Sequence, residues 1–118
     1  MRDDKENIIV DLTFQFSLEL IEYVELLEAN RKFIIANQLL RSGTSVGANV
    51  REAQNAESKA DFIHKIKIAL KEAEETEYWL LLAKHSKQYP TEENLLLKIA
   101  SILKILSKII GSLKRNNT

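Results

Sequence analysis

The chain has 118 residues, the size of one small domain, and its 17 basic and 17 acidic side chains give a formal net charge of zero. Three Gly and one Pro exclude a loop-rich sandwich, a collagen-like repeat and a disordered tail. With no Cys, a disulfide scaffold, thiol catalysis and zinc sites with sulfur ligands are excluded as well.

Four segments carry helical periodicity, and all-α architecture is expected. The first covers residues 11–30, with Asp11 as N-cap and Leu12, Phe16, Leu20, Tyr23, Val24 and Leu27 at helical spacing. The second covers 32–54, with Leu39, Gly43, Val46, Val50 and Ala53 as its apolar stripe. Its middle, Ser42 to Ala48, is poor in helix formers, each Gly costing ~1 kcal/mol relative to Ala. Gly43 and Gly47 share a face, so either a second helix approaches closely there or the helix kinks. The third covers 58–87 and opens on a capping-box pattern, Ser58 to Asp61. Phe62, Ile66, Ala69, Ala73, Thr76, Leu80 and Ala83 then follow the alternating four-three spacing of a bundle seam. The fourth covers 91–114, capped by Thr91, with Ile99, Ile102, Leu106, Ile109 and Leu113 inward. Residues 116–118 are expected to fray. The connections are short, which favours an antiparallel up-down-up-down four-helix bundle in a single domain.

Zero net charge hides segregation. Residues 1–30 hold two basic and eight acidic side chains, whereas residues 94–118 hold five basic and none acidic. Residues 31–71 are net +5 and residues 72–93 net −4. In an up-down bundle the first and fourth helices are neighbours, so pairing of the first with the fourth is expected. The first six residues hold three acids, and no uncharged apolar stretch approaches the ~20 residues of a membrane span. A cytoplasmic protein without a secretory leader or membrane contact is therefore expected.

The last two helices carry more apolar residues than one inward stripe needs: Leu95, Leu96, Leu97, Leu103, Ile105 and Ile110 in the fourth, and Ile63, Ile68, Leu70, Trp79, Leu81 and Leu82 in the third. Large exposed apolar patches are rare on monomers, so self-association is expected.

Chemistry-bearing patterns are sparse. The two histidines, His64 and His85, make no metal-ligand motif, and the carboxylates from Glu72 to Glu77 read as a solvated face. Gly43 to Gly47 lacks the Lys-Ser or Lys-Thr of a phosphate loop. No catalytic residue, metal or cofactor is therefore assigned, and a non-enzymatic role is expected. Two polar sets remain. Arg41, Ser45, Asn49 and Glu52 project from one side of the second helix. They read either as a ligand contact or as a structural or interface network in which Arg41 meets Glu52 or Glu77. Arg51, Lys59, Lys65, Lys67 and Lys71, with Lys104 and Lys108 of the fourth helix, read either as solvated faces or as contacts to nucleic-acid phosphates.

The segment from Leu39 to Ala53, together with Ser58 to Phe62 and Ala69 to Leu80, resembles the bacterial family of 23S rRNA intervening-sequence proteins. The resemblance is strong over residues 38–82. It implies a four-helix bundle that assembles into a ring-like homopentamer. It also implies kinship with the nucleic-acid-binding accessory protein of diversity-generating retroelements, which partners a reverse transcriptase. The family motif falls on Arg41, Ser45, Asn49 and Glu52 and on Glu77, Tyr78 and Trp79, as scaffold or interface positions. The function implied is that of an oligomeric module associated with RNA or a ribonucleoprotein. The alternative is a protein-interaction adaptor that binds no nucleic acid.

Overall fold

Apolar side chains at three- and four-residue intervals can leave water only if helices pack stripe against stripe. In the computed structural model, which describes residues 7–115, four helices do so: α1 (Asn7–Ala29), α2 (Phe33–Ala53), α3 (Lys59–His85) and α4 (Glu93–Arg115). Each packs on the next, and α4 returns to α1, within an envelope of 50 × 21 × 20 Å. Contacts between elements run in opposite senses along each pair. Gly43 faces Leu20 and Gly47 faces Thr13; Ser42 meets Thr76 while Glu52 meets Lys65; Tyr23 meets Pro90 while Glu19 meets Lys98. This is the antiparallel up-down-up-down order.

Phe16, Leu20 and Leu27 of α1, Leu39, Val46 and Val50 of α2, Ile66 of α3, and Leu95, Ile99, Ile102 and Leu106 of α4 fill the core. On α3 the seam is lined largely by small residues, with Ala69, Ala73 and Ala83 buried. These let α2 and α3 approach closely. Phe62, at the head of the expected seam, is only half-buried. The helix of α2 runs unbroken through Ser42 to Ala48, so the glycines serve close packing and not a kink.

The helix ends correct three expectations. The first helix begins before Asp11. Ile9 is buried in register with Thr13 and Phe16, and the Thr13 hydroxyl donates to the Ile9 carbonyl at 2.8 Å, so burial of Ile9 extends the helix by a turn. Thr91 does not cap the fourth helix: it starts at Glu93, and the Glu92 carboxylate accepts the Asn94 N–H at 2.9 Å. Two residues earlier the Pro90 carbonyl accepts the Tyr23 hydroxyl at 2.7 Å, which ties the connection to α1. The third helix stops at His85, before Lys87, because Ser86 is extended. Its start follows expectation, with Ser58 Oγ accepting the Asp61 N–H at 3.0 Å. Asp61, one methylene shorter than the usual Glu, accepts from the Glu57 N–H at 3.2 Å instead of from Ser58.

The α1–α2 turn closes with the Lys32 N–H on the Leu27 carbonyl at 2.8 Å and the Arg31 N–H on the Glu28 carbonyl at 2.9 Å. This Schellman pattern holds Arg31 at φ 62°, where glycine is usual. The expectations for residues 1–6 and 116–118 lie outside the described residues. No helix among the described residues is long and apolar enough to cross a membrane.

The apolar surplus is distributed differently from expectation. In α4, Leu95 and Ile110 are buried, Leu96, Leu103 and Ile105 half-buried, and only Leu97 stands out at 69% exposure. In α3, Ile63, Ile68, Leu70 and Trp79 are half-buried, while Leu81 and Leu82 are exposed. The larger exposed surface belongs to α1 and α2, at Phe14, Leu18, Ile21, Phe33, Ile34 and Leu40. The apolar stripe of α1 is wider than α2 and α4 together cover.

Candidate nucleic-acid interface

The polar side of α2 resolves into separate contacts. Arg41 pairs with Glu75 and lies 3.5 Å from Glu72, and its Nη2 donates to Gln38 Oε1 at 2.9 Å. Neither expected partner, Glu52 nor Glu77, is reached. Glu52 lies eleven residues further along the same helix, ~16 Å away, and pairs with Lys65 at 3.0 Å. Glu77 follows Glu75 by two residues, and a ~200° rotation turns it from α2. Asn49 Nδ2 donates to the Ser45 carbonyl at 2.9 Å, a bond internal to α2.

The buried link between α2 and α3 is one the sequence did not single out. Thr76 Oγ1 lies 2.9 Å from Ser42 Oγ and 2.8 Å from the Glu72 carbonyl, with both side chains fully buried. Thr76 has one hydroxyl hydrogen, so it donates to the carbonyl while Ser42 donates to it. Nearby, Trp79 Nε1 donates to Glu75 Oε2 at 2.9 Å. That bond, opposed by burial and aided by Arg41, holds the Glu75 carboxyl below the usual carboxylate range. The signal that could have found these contacts is Arg41 and Ser42 side by side on one helix, opposite Glu72, Glu75 and Thr76 on the next.

The seven basic candidates divide by position. Lys65 is spent on Glu52, and this hydrogen bond raises its pKa. Arg51 lines a groove of about 240 Å³ between α1 and α2, beside Phe14 and Thr44. Lys59 sits in the first turn of α3. The other four are exposed on the neighbouring helices α3 and α4. Lys67 and Lys71 are one turn apart on α3, Lys104 and Lys108 one turn apart on α4, and all four are exposed. The α3–α4 hairpin is closed at Lys84 and Glu93, which lie 4.0 Å apart. Lys71 is thirteen residues before Lys84, and Lys104 and Lys108 are eleven and fifteen after Glu93. At 1.5 Å per residue all three stand ~16–22 Å from the closed end, with Lys67 a turn beyond. None of the four joins an ion pair among the described residues. On the α1 side, Lys98 is neutralised by Glu19, which also accepts from Asn94 at 3.2 Å. Charge segregation therefore serves internal pairing at Lys98 and leaves Lys67, Lys71, Lys104 and Lys108 exposed on α3 and α4. His64 and His85 are exposed, and no group of three or more acidic or histidine side chains converges among the described residues.

No curated protein sequence matches the chain. Among solved structures it is similar to a crystal structure of a protein of unknown function from the S23 ribosomal protein family of Bacteroides thetaiotaomicron VPI-5482. Identity is 44%, coverage is 91% of this chain and 98% of that one, and the TM-score is 0.83. The model of the 23S rRNA-intervening sequence protein family matches residues 5–109. Both the sequence match, which spans all four helices, and the structural match place the chain in one group: it belongs to the 23S rRNA-intervening sequence protein family.

Proposed function

We propose that the chain is a non-enzymatic, self-associating helical module of the cytoplasm that binds RNA, or a ribonucleoprotein, through the phosphate backbone. The observation that carries this reading is the set Lys67, Lys71, Lys104 and Lys108 on the neighbouring helices α3 and α4, exposed and without carboxylate partners among the described residues. Several ammoniums spread over about two turns of adjacent helices suit a chain of phosphates and favour no base sequence. Copies brought together in a ring such as a pentamer repeat the cluster and raise the effective concentration of each contact. A salt series of binding to structured RNA tests it. Affinity falls with a log–log slope of a few units, and replacing the four lysines by Ala flattens that slope. Absence of binding even at low ionic strength ends the reading.

A second reading, a protein-interaction adaptor, is favoured by the exposed apolar residues of α1 and α2. Capture of one stoichiometric protein partner from nuclease-treated extract, by the wild type and the four-lysine variant alike, would select it.

A further inference from the structure

The end of the bundle away from the Lys84–Glu93 closure holds a cavity of about 680 Å³. Its apolar wall starts with Ile105, Ile109 and Leu113, one row of α4 at four-residue spacing, and continues with Ile8 and Ile9 of α1 and Phe62 of α3. Phe62 heads the α3 seam yet is only half-buried, because it fronts this space. Beside the apolar row, α4 carries a polar one, Lys108 and Ser112. Gln54, the C-cap of α2, completes the lining.

A largely apolar cavity with a few polar groups, lying between the helices of a bundle, has the makings of a small-molecule site, and such sites span ~300–1,000 Å³. Residues 1–6 and 116–118 offer one apolar side chain, Met1, against six in the wall, too little to fill it. The charge of the lining has one sign. Lys108 is its one charged group, is exposed, and pairs with no carboxylate among the described residues. Asp11, Glu52, Glu57 and Asp61 lie near the lining residues in sequence, yet none lines the cavity, and no acid follows Glu93 in the chain. All three polar groups can donate. They are the Lys108 ammonium, the Ser112 hydroxyl, and the amide hydrogen that Gln54 Nε2 does not give to the Val50 carbonyl at 3.1 Å. One ammonium among donors suits a head group that only accepts and carries a single negative charge. A wall that follows α4 from Ile105 to Leu113, ~12 Å, suits an elongated apolar tail. We infer that this cavity binds a fatty acid of medium chain length, with its carboxylate on Lys108 and its alkyl chain along Ile105, Ile109 and Leu113. Lys108 is shared with the phosphate contacts proposed above, but the apolar wall is not, so the two readings stand or fall separately.

Calorimetric titration of the whole chain with the straight-chain acids from hexanoate to hexadecanoate, each below its micelle concentration, tests the inference. One acid is expected to bind per chain. Affinity should rise about fourfold with each added methylene, the effect of burying one CH₂, and level off once the tail outgrows the cavity. Lys108→Met keeps the alkyl stem and removes the charge. It should lower decanoate affinity about tenfold or more and leave the binding of 1-decanol as it was. Ile8→Asp puts a carboxylate into the apolar wall and should abolish binding of both. Ile8 is 54% exposed, so the fold is retained, as circular dichroism checks; Leu113→Trp, which fills the cavity, replaces this variant should it unfold. The absence of saturable binding by any acid overturns the inference. So does a rise with chain length that never levels off, which is partition onto open surface. Decanoate binding that survives Lys108→Met or the wall variant undiminished overturns it as well. The salt series with RNA contains no acid, so a failure in either experiment is told apart from a failure in the other.

Discussion

The two glycines of α2 face the same neighbouring helix, yet adding a methyl to each has opposite consequences. A Cβ on Gly43 would stand 2.0 Å from Leu20 Cδ2, with Leu20 fully buried. Leu20 must then change rotamer inside a filled core, and overpacking of this kind costs ~1–3 kcal/mol. Against that, Gly→Ala inside a helix gains ~1 kcal/mol. The net for Gly43→Ala is a destabilisation of roughly 1 kcal/mol. A Cβ on Gly47 meets Thr13 at 3.4 Å, ordinary contact, so the helix term dominates and Gly47→Ala stabilises by roughly 0.5–1 kcal/mol. Urea unfolding of both variants at one protomer concentration reads the difference as opposite shifts of the midpoint, without a change of slope. A double-mutant cycle with Leu20→Ala isolates the cause. With the Leu20 methyls gone, Gly43→Ala should stabilise by about the same amount as Gly47→Ala. If Gly43→Ala remains destabilising in that background, the clash with Leu20 is not the reason and the packing argument fails.

Three further outcomes follow from other contacts. Thr76→Val leaves the buried Ser42 hydroxyl without its partner and should cost ~1–2 kcal/mol, whereas Thr76→Val with Ser42→Ala should cost clearly less than the two singles summed; additivity in thermal or urea unfolding would contradict the bond. Tyr23 has its pKa raised to about 12, by burial first and by Glu92 and Tyr89 after it. The folded state thus favours the protonated phenol, and that stability is whole below the ordinary value near 10 and is lost as pH rises through about 12. Tyr23→Phe, which also removes the bond to Pro90, should weaken the fold by ~1 kcal/mol at neutral pH and flatten this alkaline loss; an unchanged pH profile would count against it. Arg31, at φ 62°, should be replaceable by Gly with a gain of ~0.5–1 kcal/mol, read as a higher midpoint in urea; a loss would mean that the Arg side chain stabilises the turn.

Much of this molecule is written in local pattern. Periodicity alone determines that there are four helices, that Leu20, Leu39, Ile66, Ile99 and Leu106 point inward, and that Ser58 starts the third helix. Each follows from 3.6 residues per turn or from one side chain reaching one N–H. The family resemblance in residues 38–82 was also legible, and the family match extends it over residues 5–109. Pairing between the first and fourth helices, expected from charge, appears at Glu19 and Lys98.

What depends on which turn faces which could not be read along the chain. Arg41 meets Glu72 and Glu75 and not Glu52 or Glu77, because the register of two antiparallel helices sets the partner and a shift of two residues turns a side chain away. The α1 helix starts before the good capping residue Asp11, because burying Ile9 outweighs the local signal. Whether an apolar residue is surplus is likewise decided by neighbours. Leu95 and Ile110 disappear between α3 and α1, while Phe14 and Leu18 lie outside the strip of α1 that α2 and α4 cover and stay in water. Of seven basic candidates, only packing separates Lys65, neutralised by Glu52, from the four on α3 and α4 that pair with no carboxylate among the described residues. Sequence fixes each helix and its inward stripe through short-range geometry; rotation and register between helices, which depend on the whole core at once, decide which charges cancel and which faces are left for a partner.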